Sequence, residues 1–238
     1  KAIKNGEDVD ALKAQVAEAG ATADAASEEM ESIENEATSL LEALPNVLSD
    51  VTPDGRDESD NVVLREWGTD LRKIGEYKWH DELAEGLSGY DPEAASRVAG
   101  ARFAVLKGSV ARLERALANF FLDAHLQNGY EEVSSPLLVS RSALRGTGQL
   151  PKFEDDLFRV ANHGVRGEDA FLIPTSEVPL TNFWRGETLQ EKDLPIRMVA
   201  HTPCFRAEAG SYGRDTRGLI RQHQFGKVEL VKIVAPEN

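Results

Sequence analysis

The sequence predicts an α+β protein: a long coiled-coil arm helix, then an antiparallel sheet flanked by helices. Three observations predict it. Apolar residues recur at alternating spacings of three and four from Val9 to Leu44. A second strong helical pattern covers Ser109 to Gln127. Beyond it, short apolar runs are separated by loops rich in glycine, proline and charge rather than by regular helices. That pattern favours an antiparallel sheet over a doubly wound one.

The first pattern runs Val9, Leu12, Val16, Ala19, Ala23, Ala26, Met30, Ile33, Ala37, Leu40, Leu44. This is about five heptads of a and d positions, the seam of a coiled coil. At the α-helical rise the helix is roughly 50 Å long. Pro45 ends it, and Asn46 to Pro53 read as a turn-rich exit. Gly20 and the alanines suit close helix approach. A seam needs a partner, and no second heptad run exists in the sequence. The partner is therefore expected in another chain or before Lys1. An ordinary amphipathic helix on a globular domain fits less well, given the length and the acidic faces.

Residues 49–100 read as a connecting segment: an exposed acidic loop from Asp54 to Asp60, a short strand from Asn61 to Trp67, and short helices at His80 to Gly86 and Asp91 to Val98. The second of these opens on an Asp-Pro start signal. Residues 101–238 read as one domain, and residues 1–48 as the arm. Phe103 to Leu106 is expected as a strand. The helix from Ser109 to Gln127 carries Val110, Leu113, Leu117, Phe120, Phe121 and Ala124 on one face, and Asn128-Gly129 stops it. Tyr130 to Val139 reads as a strand holding Pro136, hence an edge or a junction. Ala170 to Ile173, Ile196 to Thr202 and Gln224 to Val234 supply further strands.

Composition limits the function. The 238 residues carry a net charge of −14, but residues 1–60 alone hold 16 acidic against 4 basic side chains. Near the C-terminal end the balance reverses, and Arg206, Arg214, Arg217 and Arg221 fall close together. Such a cluster is either a solvated surface or a phosphate-recognition site. No apolar run is long enough to be a transmembrane helix, and no signal-peptide pattern opens the chain. A single cysteine, Cys204, excludes an internal disulfide. There is no P-loop, no dinucleotide fingerprint at Gly146-Thr147-Gly148 and no Gly-x-Ser-x-Gly elbow. The five histidines lack metal-ligand spacing, so no zinc site and no dedicated metal motif is expected.

Three segments remain: Gly129 to Leu138, Ile173 to Leu180, and Phe205 to Glu229. In the third, Phe205-Arg206-Ala207-Glu208, a loop, and Arg221-Gln222-His223-Gln224-Phe225-Gly226-Lys227-Val228-Glu229 are expected to form a strand–loop–strand hairpin. Counting by twos puts Arg206 with Glu208 on one face, and Phe225 with Glu229 likewise. An arginine, two carboxylates and an aromatic ring make a polar platform, and it suits adenylate chemistry. Arg206 can stabilise charge developing on an α-phosphate. Phe225 can offer its face to adenine. An amino-acid ammonium needs a carboxylate, Glu177 or Glu229, and a hydroxylated side chain needs a polar partner.

Phe-Arg-x-Glu, a loop and Arg-x-x-x-Phe-x-x-x-Glu resemble motif 2 of class II aminoacyl-tRNA synthetases, and Gly129 to Pro136 resembles their motif 1. The strings Thr147 to Phe153, Thr175 to Pro179, His201 to Arg206 and Gly210 to Gly218 are similar to the seryl-tRNA synthetase family of bacterial type. The heptad helix resembles the second strand of that family's arm. The resemblance implies that serine and ATP, with Mg2+ in the substrate complex, give seryl-adenylate, and that the seryl group then passes to tRNA(Ser), or to tRNA(Sec) in some members. It implies serine binding at Thr175, Ser176, Glu177, Arg206 and Glu229. It implies ATP binding at Arg206, Ala207, Glu208, Gln222 and Phe225, with Arg206 and Glu208 catalytic. It implies tRNA contact at Arg214 and Arg217, a homodimer through the motif 1 region, no membrane association and a cytoplasmic location. On this resemblance the first arm helix and a motif 3 are expected outside the chain. A paralogue that loads a carrier protein, or binds without catalysis, is the alternative; the arm favours the tRNA ligase.

Overall fold

A computed structural model describes residues 9–68, 75, 77–209 and 217–237. The chain divides into two compact units, Lys1–Arg65 and Glu66–Asn238.

The first unit is dominated by α1 (Val9–Ala43), a single 35-residue helix with no buried residue. Its span matches the heptad pattern. Val16, Met30, Ile33 and Leu40 are all more than half exposed. A short 3-10 turn at Glu58–Asp60 is capped by Asp57, whose side chain accepts from Ser59 N at 2.9 Å. The strand expected at Asn61 to Trp67 does not form. Val62, Val63 and Leu64 are exposed and have no neighbouring strand among the described residues, so β-propensity alone does not hold them in a ladder.

The second unit begins with α2 (His80–Gly86) and α3 (Pro92–Ala99). Asp91 caps α3 by accepting from Ala94 N at 2.9 Å, as the Asp-Pro signal predicts. The strand expected at Phe103 to Leu106 shrinks to one bridge, Tyr90 to Leu106, and Arg102 just before it takes φ +62°. Helix α4 (Gly108–Gln127) packs against β5 and β6, described below. Only Ala118 of it is buried. On its apolar face Leu113, Leu117, Phe120 and Phe121 are exposed.

The segment expected as one strand, Tyr130 to Val139, is two. Strand β1 (Glu131–Glu132) pairs parallel with β5, and β2 (Leu138–Ser140) pairs antiparallel with β4. Pro136, which has no N–H to give a ladder, marks the crossing from one sheet to the other. After α5 (Arg141–Gly146) come β3 (Arg159–Val165), β4 (Glu168–Leu172), α6 (Glu177–Asn182), β5 (Ile196–Phe205) and β6 (Gln224–Ile233). Among the described residues the strands form two three-stranded sheets, ordered β1-β5-β6 and β2-β4-β3, antiparallel except for the β1–β5 pair. The α+β class therefore stands, with two sheets in place of one.

The two sheets meet at the exits of β4 and β5, where Phe205 N donates to Ile173 O at 2.9 Å. One apolar cluster gathers Val139, Leu144, Leu157, Phe171, Ile173 and Val178; a second holds Leu180, Met198 and Ala200. Helix α6 thus serves both, with Val178 in one and Leu180 in the other. Among the described residues no helix is long and apolar enough to cross a membrane.

Cys204 lies in β5 with no exposed surface, and burial pushes its thiol above the ordinary range. The reactive species is the thiolate. Native protein at neutral pH is therefore expected to resist alkylation of Cys204 by iodoacetamide, and denatured protein to be labelled there. Mass spectrometry checks this, and rapid native labelling would contradict the burial.

Candidate active site

The site grows from the register of β5 against β6. Residues opposite each other across an antiparallel pair project from the same face. Ala200 faces Glu229, Thr202 faces Lys227, and Cys204 faces Phe225. On that face β6 therefore presents Phe225, Lys227 and Glu229, while the facing β5 side chains, Ala200, Thr202 and Cys204, are buried. The expectation that Phe225 and Glu229 share a face is met. Lys227 sits between them and carries no expectation from sequence, although counting by twos passes through it.

Arg206 follows β5. Its N–H extends the ladder by donating to His223 O at 3.0 Å, and its Nε donates to Pro174 O at 3.2 Å. The guanidinium lies over the Phe225 ring, 5.2 Å from the centroid. His223 holds the Arg206 backbone a second time, Nδ1 to O at 3.0 Å, and packs against Phe103 and Phe158. The alternation expected to carry on to Glu208 stops: the strand ends at Phe205 and Glu208 takes φ +51°. Its carboxylate nonetheless meets Arg221, Nη1 to Oε2 at 2.9 Å, and its carbonyl accepts from Arg102 at 3.0 Å. Ala207 N donates to Asp156 O at 2.9 Å, which fixes the chain between them.

Thr175, nearly fully buried, lies in the turn before α6. Its hydroxyl donates to Glu229 Oε2 at 2.6 Å. It accepts from Lys227 Nζ at 3.0 Å and from Glu177 N at 3.2 Å. One donor and two acceptor places are thus all filled. Lys227 also forms an ion pair with Glu229. Ser176 is turned away: it is fully buried, and its hydroxyl bonds Thr202 Oγ1 at 2.5 Å.

Two adjoining cavities open here. One, of about 340 Å³, is lined by Gln149, Thr175, Glu177, Arg206, Glu208 and Lys227, among others. The other, of about 440 Å³, is lined by Arg206, Glu208, Leu219, Arg221, Gln222 and Phe225, with Ile220. Arg206, Glu208 and Arg221 line both. Thr175, Glu177 and Arg206 thus share one cleft, and Glu229 stands behind Thr175, joined to it by the hydrogen bond. Gln149 and Phe153 of the first cavity belong to the Thr147 to Phe153 string, whose side chains carry no chemistry that sequence alone would mark.

Arg217 is engaged elsewhere. Its Nε donates to Asp81 Oδ2 at 2.8 Å and its Nη2 to Glu82 Oε1 at 3.0 Å. These bonds raise the proton affinity of Arg217. The hydrogen bond from Arg217 holds the Asp81 carboxyl below its usual range, and the Trp79 N–H, then Arg217, does so for Glu82. Arg214 lies outside the described residues. Among those residues, no group of three or more His, Cys, Asp or Glu is placed to hold a metal ion.

Chemically, a guanidinium beside an aromatic face suits a phosphate joined to a flat heterocycle. The hydroxyl, ammonium and carboxylate cluster next to it suits a small polar molecule. The class II tRNA synthetase core domain family (G, H, P, S and T) matches residues 158–238. The chain is 49% identical over 240 residues to the serine–tRNA ligase of Hydrogenovibrio crunogenus (strain DSM 25203 / XCL-2). It is 51% identical over 244 residues to that of Aeromonas salmonicida (strain A449). Both alignments cover 100% of this chain and 56% of the relative. The crystal structure of seryl-tRNA synthetase from Pyrococcus horikoshii complexed with ATP superimposes with a TM-score of 0.78 at 35% identity, over 96% of this chain and 55% of that one. The chain thus spans a little over half the length of these relatives.

Proposed function

We propose that this chain, which carries a class II tRNA synthetase core domain and is homologous over its whole length to serine–tRNA ligases, belongs to an enzyme that activates L-serine with ATP and transfers it to tRNA(Ser). The observation that carries the reading is the joining of two subsites through Arg206. On one side lies Phe225, on the other the Thr175–Lys227–Glu229 cluster.

In the first step a serine carboxylate oxygen bonds to the α-phosphorus, the bond to the β-phosphate bridge breaks, and pyrophosphate leaves. Arg206 spans the carboxylate and the α-phosphate and stabilises the added charge. Phe225 stacks on adenine, Glu208 accepts from its amino group, and Ala207 and Gln222 line the nucleotide. ATP enters as its Mg2+ complex, a substrate. The serine hydroxyl meets Glu229. Since Glu229 is already engaged by Thr175 and Lys227, the ammonium falls to Glu177 at the start of α6. Thr175 orders the pocket, and Ser176, whose hydroxyl is committed to Thr202, offers only its backbone. In the second step the terminal ribose hydroxyl of tRNA attacks the acyl carbon and AMP leaves. Arg214 and Arg217 contact the tRNA. Serylation of tRNA(Sec), dimerisation through Gly129 to Pro136 and a cytoplasmic location complete the reading.

The test is ATP–pyrophosphate exchange by the full-length product that carries this chain. Exchange that requires serine and is not supported by glycine, followed by charging of tRNA(Ser), is expected. Exchange without tRNA charging would favour the carrier-protein paralogue. No serine-dependent exchange would refute the assignment.

A further inference from the structure

Helix α2 is tied to the segment Arg217–Leu219 by contacts that none of the roles above uses. Arg217 forks onto Asp81 and Glu82, and its guanidinium lies 4.8 Å from the centre of the Trp79 ring. One residue beyond Gly218, Leu219 N donates to His80 Nε2 at 2.9 Å. Gly218 takes φ +60°, and a Cβ there would collide with the His80 ring at Nε2. The chain can pass His80 this closely only as glycine. Helix α2 is itself prepared for the contact: Glu82 accepts from Trp79 N at 3.0 Å with one oxygen and from Arg217 with the other. A separation of 135 residues along the sequence divides Glu82 from Arg217, so local chain geometry does not explain the pairing.

The far side of this contact is the nucleotide cavity. Leu219 lines it, and Leu219 O accepts from Gln222 Nε2 at 3.0 Å. Gln222 and Arg221 line it too, and Arg221 reaches Glu208. An isolated exposed ion pair contributes little. Here two carboxylates and an aromatic face act on Arg217 and a backbone hydrogen bond acts on Leu219, which itself forms part of the cavity wall.

We infer that α2 is a latch, with His80, Asp81 and Glu82 acting as positioning residues that fix Leu219 and Gln222 for ATP. The inference rests on the adenylation reading above. It predicts an effect confined to the nucleotide, because the serine cluster on β6 and α6 makes no contact with α2 in the bonds described.

Two variants test it in the full-length product, Asp81→Asn with Glu82→Gln, and separately His80→Phe. The amides keep the size of the carboxylates, and the side-chain carbonyl introduced by Glu82→Gln can still accept from Trp79 N. The phenyl ring removes the acceptor for Leu219 N. In serine-dependent pyrophosphate exchange, KM for ATP is expected to rise about fivefold to tenfold, the scale of a lost hydrogen bond or two. KM for serine should stay within about twofold. An unchanged KM for ATP in both variants, with or without a lower melting temperature, would overturn the latch. Equal rises in both KM values would overturn it as well. If the unaltered enzyme shows no serine-dependent exchange, the adenylation reading has failed instead. Calorimetric titration with ATP then decides the latch alone: weaker binding in both variants supports it, and equal binding overturns it.

Discussion

Replacing Arg206 with alanine is expected to lower serine-dependent pyrophosphate exchange by about 100- to 1000-fold, the loss typical of one preorganised charge-stabilising donor. ATP brings about four negative charges to the cleft, and the in-line transition state gathers charge at the α-phosphate and the departing pyrophosphate. Arg206 is fixed before substrate arrives. Its backbone is bonded twice to His223, its Nε to Pro174 O, and its guanidinium lies over Phe225. A lysine carries the charge but neither the planar fork nor the ring contact, so Arg206→Lys should recover less than about a tenth of the lost rate. Because the guanidinium lines both cavities instead of filling a core, truncation should leave the melting temperature near that of the parent. The main effect should fall on kcat, since the interaction strengthens as charge develops. A loss smaller than about tenfold, in a folded variant, would remove Arg206 from the reaction centre.

The parts of this fold that sequence reveals are those with strong periodicity or punctuation. The α1 heptads, the Asp91-Pro92 cap and the Asn128-Gly129 stop each act locally, and each appears where expected. Strand β3 is not legible. Its sequence, Arg-Val-Ala-Asn-His-Gly-Val, is mostly exposed and holds a register break, with Asn162 at φ +58°. No apolar alternation survives there to be read. Pro136 reads as a junction, but only the coordinates show that it divides one expected strand between two sheets. In the site, Arg206, Phe225 and Glu229 are legible because they lie at the end of one strand and along its neighbour. Glu208 reaches the cleft by another route, a left-handed backbone and a bond to Arg221, which alternation does not encode. Lys227 is hidden by its ordinariness, a lysine in a strand near a glutamate. The partners of Arg217 are hidden by distance along the chain. Exposed apolar residues on α4 look like core in sequence because periodicity reports a face and not what covers it.

Replacing Glu229 with glutamine is expected to reduce the preference for serine over alanine by about 100-fold, mainly through a fall in kcat/KM for serine. Sites that hydrogen-bond a substrate hydroxyl reject the analogue lacking it strongly, because the buried polar groups are then left unpaired. On the function proposed above, Glu229 is such a group, joined to the cleft through Thr175. One oxygen accepts from Thr175, Lys227 supplies the counter-charge, and the side chain keeps 17% exposure. Glutamine preserves size and one acceptor oxygen, so the Thr175 bond can persist. It gives up the charge-assisted bond to a substrate hydroxyl and the pairing with Lys227. Alanine as substrate never uses that bond, so its kcat/KM should change by no more than a few-fold. Lys227 makes the argument sharper. Because Lys227 and Glu229 share Thr175, removing both should cost less than the sum of removing each. Glu229→Gln, Lys227→Met and the double variant, compared by pyrophosphate exchange with serine and with alanine, close the cycle. Additive losses would mean that the two act independently. An unchanged serine-to-alanine ratio in Glu229→Gln would move hydroxyl recognition elsewhere, with Thr175 and the Gln149 side of the cavity the next places to look.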